Sequence, residues 1–193
     1  MAKGKNDVIL RDRLQFDITS SGNTALVYGR IDLSDYVSIV KNEGLAIKEI
    51  RFQFRNPNTD LAWPTWMNNE DPSAVPAGAV AQADVVAFAT TTAYENAADV
   101  GIASPNVICI RERISSISQL GWADYEDRFY GTPDLHPEGY DVVTDLLIGV
   151  YANNCQNSLL AGTTQELDVM IIAEPKKITQ KDLTQMLSQA QDL

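Results

Sequence analysis

Histidine and cysteine are scarce in this 193-residue chain, which contains one His and two Cys. Metal-dependent β-sandwich enzymes need two or three histidines beside a carboxylate, so a site of that kind is disfavoured. No Gly-x-Ser-x-Gly elbow accompanies the histidine, and Cys109 and Cys155 are too distant in sequence for a CxxC or zinc motif. We therefore expect no enzymatic activity, no bound cofactor, and buried free thiols at both cysteines.

Long apolar runs and an excess of basic charge are also missing. No stretch approaches the roughly 18 apolar residues of a membrane helix, and the N-terminus has no apolar signal-peptide core. The formal net charge of −11, from 15 basic and 26 acidic residues, opposes the phosphate neutralisation that sequence-independent nucleic-acid binding requires. We expect a protein made in a cytoplasm, with no membrane span and no strong direct binding to nucleic acid.

Strand-like alternation dominates what is present. Within residues 46–55, Ile50, Phe52 and Phe54 point to one side, and the charged and amide residues between them point to the other. The turn residues 20–23 predict a hairpin, or at least a tight reversal, between the first two strands. Seven or eight strands are predicted in all, from the runs at 8–18, 24–33, 45–55, 80–91, 106–118, 141–153 and 166–173.

These strands predict an all-β fold, a two-sheet antiparallel sandwich in which the jelly roll is the first choice. Immunoglobulin-like order is the alternative, because alternation reports the faces of a strand and not its neighbours. The sandwich is expected to occupy residues 1–175 as one domain, with long loops at 56–79 and 119–140. Residues 176–193 would follow it as a C-terminal helical arm.

Helices are expected only between strands and in the arm. Residues 34–44 have the capping serine, helical apolar spacing and final glycine of a short helix, and residues 93–100 predict a single helical turn. In the arm, Thr179 and Asp182 have the spacing of a capping box in front of an amphipathic helix.

Loop aromatics and the apolar face of the arm are the candidate subunit contacts. The loop aromatics have three interpretations: stacking on sugar rings, burial against a neighbouring subunit, or attachment of the loops to their own core. The arm has two, docking on its own sheet or reaching a partner. The interface candidates are Trp63, Trp66, Trp122, Tyr125, Phe129, Tyr130, Leu183, Met186, Leu187 and Ala190.

Acidic residues gather in the second long loop, where His136 is expected to be an exposed side chain and not a metal ligand. A loop folded back on itself could hold Ca²⁺ through several carboxylates, although no EF-hand spacing is present. A solvated acidic loop is the other interpretation. The carboxylates concerned are Asp124, Glu126, Asp127, Asp134 and Glu138.

Three segments carry a resemblance to a known family: 32–37 (DLSDYV), 44–54 (GLAIKEIRFQF) and 167–174 (LDVMIIAE). With the chain length, the long loops and the terminal arm, they make the protein similar to the single jelly-roll coat proteins of small icosahedral viruses. The resemblance implies a subunit that self-assembles into a capsid or virus-like particle, found in the virion. It spans most of the chain as a pattern of strands and loops.

One departure from that family is the missing basic arm, which many coat proteins use to neutralise packaged RNA. The net charge of −11 therefore favours an outer shell, a shell around a genome condensed by another protein, or an empty cage. The alternative function is a carbohydrate-binding, lectin-like sandwich in which Trp63, Trp66 and Trp122 stack on sugars.

Overall fold

The structure, a computed structural model, describes residues 6–60, 62–68, 71–131 and 138–189. Within them the chain is almost entirely β, which confirms the predicted fold class. The strands are β1 (Val8–Asp17), β2 (Thr24–Ile31), β3 (Glu43–Arg55), β4 (Val80–Thr90), β5 (Val107–Ser118), β6 (Ala123–Tyr130), β7 (Tyr140–Val142), β8 (Leu146–Asn153) and β9 (Thr164–Lys177). One α-helix, α1 (Gln180–Gln189), follows them.

Two antiparallel sheets pack face to face, as the sequence predicted. The four-stranded sheet has the order β1-β9-β3-β7, and the five-stranded sheet has the order β2-β8-β4-β5-β6. Because β1 and β2 lie in different sheets, the predicted hairpin between them is wrong and the reversal is a crossing between sheets. Gly22 N–H donates to Thr19 O at 2.9 Å inside that reversal, and Cys155 N–H donates to Gly22 O at 2.7 Å.

The core lies between the sheets and is built from alternate residues of each strand. In β3 the buried residues switch from odd to even positions, because an extra residue, Lys48, is inserted between Ile47 and Glu49 opposite β9. Ile50, Phe52 and Phe54 are buried as predicted. Lys48 itself pairs with Asp7 at 2.8 Å.

The outer face of the five-stranded sheet carries a second apolar cluster, centred on Val86, Phe88 and Ile110. The β4–β5 connection, residues 91–106, lies over this cluster and contributes Val100 to it. It contains a 3-10 turn at Ala97–Asp99, close to the helical turn predicted for residues 93–100.

Residues 34–44 form consecutive turns, so the short helix predicted there is wrong. Val37 N–H donates to Leu33 O, and Ser38 forms an isolated bridge with Glu43. Tyr36 and Val37 pack partly buried against the core, whereas Val40 is 94% exposed, so the apolar residues that suggested a helix do not share one buried face. The β-branched residues of this segment also lower its helix propensity.

The two predicted long loops have different outcomes. Residues 56–79 contain no strand in their described part, only a 3-10 turn at Pro72–Ala74, which agrees with the prediction. The prediction of a loop at 119–140 is wrong, because β6 occupies Ala123–Tyr130 and β7 begins at Tyr140. The predicted strand at 141–153 is also divided, into β7 and β8.

Helix α1 packs on the sandwich of its own chain. Thr179 Oγ1 donates to Asp182 Oδ2 at 2.7 Å and accepts from Asp182 N–H at 3.2 Å, so Thr179 caps the helix and pairs with Asp182 as the sequence spacing predicted. Leu183 is buried against Val143 and Ile178. Within the described residues, no helix is both long and apolar enough to cross a bilayer.

Candidate functional site

Strand β6 and the turn before it carry charged, aromatic and exposed apolar side chains at one edge of the sandwich. β6 pairs with β5 in an antiparallel hairpin whose turn is closed by Ser118 N–H donating to Trp122 O at 2.8 Å. Gly121 in this turn has φ +78°, a conformation that favours glycine. β6 is an edge strand of the five-stranded sheet.

A charged cluster lies on the inner side of this hairpin. Arg111 reaches Asp127 through two hydrogen bonds, Nε to Oδ1 at 3.0 Å and Nη2 to Oδ2 at 2.7 Å. Arg113 adds a third, Nε to Oδ2 at 3.1 Å. Burial alone would raise the pKa of the Asp127 carboxyl, but the two guanidinium groups outweigh it and lower that pKa below its ordinary value. Asp127 is therefore a carboxylate at neutral pH.

Aromatic rings enclose the two guanidinium groups of this cluster. Arg111 lies 4.8 Å from the ring centroid of Phe129 and 5.8 Å from that of Phe54. Arg113 lies 5.6 Å from the ring centroid of Tyr125. These are cation–π distances, which add to the hydrogen bonds in holding the arginines.

The same cluster joins the two sheets at an open edge. β7 pairs with β3 only at Leu45–Ile47, so the later part of β3 has no strand partner on that side among the described residues. Arg111 Nη1 donates a hydrogen bond to Phe52 O on this part of β3. A side chain thus satisfies a backbone acceptor that a neighbouring strand would otherwise take.

Four connecting segments lie at the same end of the sandwich: 18–23, the described part of 56–79, 119–122 and 154–163. Asn157 N–H donates to Met67 O at 3.0 Å, and Asn157 Nδ2 donates to Trp66 O at 2.9 Å. Asn56 Nδ2 donates to Leu159 O at 2.7 Å. Because these amides bind backbone groups, the loops are fixed to each other. We call this end the aromatic end.

Large apolar side chains are exposed at the aromatic end. It carries five of the nine such side chains on the described residues: Trp66, Val80, Leu120, Trp122 and Leu159. Trp66 is 42% exposed and Trp122 is 54% exposed. Exposed apolar groups concentrated in one region mark an interaction surface more often than scattered ones do.

The predicted loop aromatics have separate locations. Trp63 packs against its own core, with its ring centroid 5.3 Å from that of Phe54. Trp66 and Trp122 are exposed at the aromatic end. Tyr125 and Phe129 belong to the arginine cluster. Tyr130 lies on the other face of β6, against the outer apolar cluster.

The predicted contacts of the arm lie on its own chain. Leu183 is buried, and Met186 and Leu187 pack partly buried against the same small cluster. Ala190 lies outside the described residues. Of the two interpretations of the arm, docking on its own sheet is therefore the one found for the described part of α1.

The acidic residues of the predicted second loop are spread over both faces of β6. Asp127 faces inward to the arginines, whereas Glu126 faces outward and pairs with Arg128. The folded-back loop of the calcium interpretation is therefore not the geometry of Asp124, Glu126 and Asp127. Asp134 and His136 lie outside the described residues. No cluster of three or more metal-ligating side chains occurs in the part of the chain that the structure describes.

Both cysteines are buried and free, as predicted. Burial raises the pKa of the Cys109 thiol to about 12 and that of the Cys155 thiol to about 12. Each thiol therefore stays protonated at neutral pH and lacks the thiolate character of a nucleophile.

Arg111 and Arg113 are the functional candidates that the sequence analysis missed. They occupy inward positions of β5, directly opposite Phe129 and Asp127 of β6. The sequence contained an indication of this, because Arg111 and Arg113 fall on the same face of the strand as Cys109, which was expected to be buried. Interpreting it required knowing that residues 123–130 are a strand.

Comparison with protein-family models and with curated protein sequences finds no match to this chain.

Proposed function

We propose that this protein is a structural subunit that assembles with copies of itself into a closed shell, a viral capsid or virus-like particle, and is not an enzyme. The observation that carries the proposal is the concentration of exposed large apolar side chains at the aromatic end. A packed domain with an apolar end whose loops are hydrogen-bonded to each other is suited to repeated contacts with identical neighbours, and closure makes individually weak contacts cooperative.

Strand pairing supports the jelly roll as the form of this sandwich. β1 pairs with β9, β2 with β8, β3 with β7, and β4 with β5. This nested order is that of one long antiparallel hairpin folded over on itself, with β6 added at the edge. Jelly rolls build viral shells and also lectins and cupins, so the fold alone does not choose among them.

Charge supports a shell that leaves genome neutralisation to another component. A groove of about 650 Å³ on the outer face of the four-stranded sheet is lined by Arg11, Arg13 and Arg51. Arg13 binds Asp168 at 2.6 Å, and Arg51 binds Glu49. These carboxylates compensate two of the three arginines, and Asp12 and Asp168 also line the groove, which is therefore poorly suited to holding a phosphate backbone.

The aromatic end can be tested by substitution. We expect a Trp66→Ser/Trp122→Ser double variant to lose the assembled species in sedimentation velocity while keeping the wild-type near-UV dichroism of its buried aromatics. The matched control is Val40→Ser/Ile102→Ser, which removes two exposed apolar side chains that lie away from the aromatic end. Assembly that survives in the tryptophan variant, or fails equally in the control, would count against this use of the aromatic end.

A carbohydrate-binding module is the second candidate. Its specific support is that Trp66 and Trp122 are exposed at the same end, where planar rings could stack on sugars. A glycan screen distinguishes the two functions. A 21.2 kDa monomer whose glycan binding requires both tryptophans would favour the module over the shell.

A further inference from the structure

Strand β6 leaves one row of backbone groups without a strand partner among the described residues. Ser118 pairs with Trp122 at the hairpin turn through a backbone hydrogen bond. Hydrogen-bonded pairs alternate along an antiparallel ladder, so the even-numbered residues of β6 bond to β5 and the odd-numbered residues point their N–H and C=O groups outward. In agreement, Tyr125 N–H binds the side chain of its neighbour Asp124 at 3.0 Å instead of β5.

A second copy of β6 is one strand that could occupy this edge. If two copies pair antiparallel about a two-fold axis perpendicular to the sheet, one residue must lie opposite its own counterpart. The choice of that residue fixes every other cross-strand pair. The side chains of β6 can therefore be tested one register at a time.

Three central registers bring like charges or mismatched groups together. An axis at Tyr125 places Asp124 opposite Glu126 of the second copy, twice. An axis at Glu126 places Asp124 opposite Arg128 twice, but it also places the two Glu126 carboxylates opposite each other and Tyr125 opposite Asp127. An axis at Arg128 places the two guanidinium groups opposite each other. Like charges directly opposite in a sheet are destabilising.

An axis at Asp127 gives complementary pairs on both faces. On the outer face, Glu126 lies opposite Arg128 of the second copy, twice. On the inner face, Tyr125 lies opposite Phe129 of the second copy, twice, an aromatic pairing that sheets favour. Glu126 and Arg128 are 43% and 45% exposed, so both side chains can reach a second strand.

The two Asp127 side chains lie opposite each other in this register, and each one is already neutralised. Arg111 and Arg113 of the same chain bind each carboxylate at 2.7–3.1 Å. The like-charge contact that an unpaired aspartate would create is thereby compensated within each subunit. In this pairing, the arginine cluster would reduce the repulsion between the two Asp127 carboxylates, in addition to binding Phe52 O.

We propose that β6 of one subunit pairs antiparallel with β6 of a second copy about a two-fold axis at Asp127, which joins two five-stranded sheets into one. The inference rests on the proposed function, because it names one of the subunit contacts of the shell. The charge pattern of β6 then selects this register against the neighbouring ones.

Two charge-reversal variants test the pairing. Glu126→Arg places arginines opposite each other in a self-pair, and Arg128→Glu places glutamates opposite each other. Each variant alone is expected to lose the two-fold contact. In an equal mixture, the two arginines of the first variant lie opposite the two glutamates of the second, so mixing is expected to restore association. Sedimentation velocity of each variant and of the mixture measures this directly.

If mixing restores association, its loss in the single variants was not caused by misfolding of each chain, because the Glu126–Arg128 ion pair within each chain stays broken in the mixture. Arg128→Glu also faces Glu112 on β5, so near-UV dichroism is recorded for every variant. Arg30→Glu makes the same charge change on β2, the opposite edge of this sheet, and is expected to leave association unchanged.

The outcomes separate this inference from the proposed function. A closed particle that both reversals leave intact overturns β6 pairing and leaves the shell in place. A wild-type protein that stops at a dimer, which Arg128→Glu dissociates and mixing restores, retains the pairing and overturns the shell. Variants that stay dissociated when mixed, or a wild-type protein that remains at 21.2 kDa, overturn the pairing.

Discussion

The outer faces of the two sheets differ in how their side chains are stabilised. On the four-stranded sheet, the outward side chains of β1, β3 and β9 form ion pairs, with Arg13 at 2.6 Å and Arg55 at 2.7 Å from Asp168. On the five-stranded sheet, Val86 and Phe88 are buried by the β4–β5 connection. Ion-paired side chains exposed to solvent cover the first face, whereas the apolar side chains of the second face require a covering segment.

The covered face is held by specific contacts. Tyr28 Oη accepts from Tyr94 N–H at 2.8 Å and donates to Tyr94 O at 3.2 Å, which ties the β4–β5 connection to β2. The ring of Phe88 meets that of Tyr28 edge to face at 5.8 Å. It also lies over Gly149, where an added Cβ would be 2.1 Å from Cζ. We expect substitutions on this face to cost more than substitutions on the ion-paired face.

Phe88→Ala should show the largest effect. Phe88 is fully buried, and removing a buried phenylalanine side chain costs about 3–5 kcal/mol because a cavity remains. Urea unfolding of variant and wild type measures the difference in the free energy of unfolding. A loss below about 1 kcal/mol would mean that this face is not a second core.

Gly149→Ala should follow, with a cost of about 1–3 kcal/mol from overpacking against Phe88. Gly29→Ala is the matched control. Gly29 lies directly opposite Ile148 on the neighbouring strand, and a Cβ there would meet only Leu14, whose flexible Cδ1 is the nearest atom at 3.2 Å. Equal thermal stability of the two variants would contradict the close packing of Phe88 on Gly149.

Arg13→Ala samples the ion-paired face. Arg13 contacts Asp168 at 2.6 Å and Glu166 at 3.5 Å, but its side chain is 46% exposed, and solvent-exposed ion pairs contribute little to stability. The loss should shrink further when unfolding is repeated in high salt, because ions screen such pairs. A salt-independent loss as large as that of Phe88→Ala would remove the contrast between the two faces.

Asp84→Asn gives the smallest effect and tests pH dependence. Burial raises the pKa of the Asp84 carboxyl, against a hydrogen bond from Asn153. Because the folded-state pKa is raised, the charged form is disfavoured in the folded protein, and stability is lost as pH rises through the ordinary and then the folded pKa. Asp84→Asn should therefore stabilise the protein at neutral pH and give no gain below the ordinary aspartate pKa. A gain that is the same at both pH values would contradict this assignment.

Alternation located the strands because one polar face and one apolar face leave a clear period of two. β1, β3 and β9 follow this rule, and their predicted positions agree with the structure within a few residues. The sequence could not show the insertion of Lys48 in β3, because a bulge depends on the pairing partner. Nor could it show that β1 and β2 lie in different sheets, since alternation does not report neighbours.

β6 was missed because its composition imitates a loop. Its sequence ADYEDRFY contains four charged residues, and its inward positions hold Tyr125, Asp127 and Phe129 in place of aliphatic side chains. The buried charge of Asp127 is stabilised by Arg111 and Arg113 on the neighbouring strand. Long-range ion pairs of this kind leave no local pattern. The arginine cluster therefore became visible only when β5 and β6 were placed side by side.

The mass of the purified protein in solution tests the central claim most directly. Light scattering coupled to size exclusion, with negative-stain imaging of any heavy fraction, should reveal a closed particle many times heavier than the 21.2 kDa chain. A homogeneous 21.2 kDa species across salt, pH and calcium concentrations would contradict self-assembly.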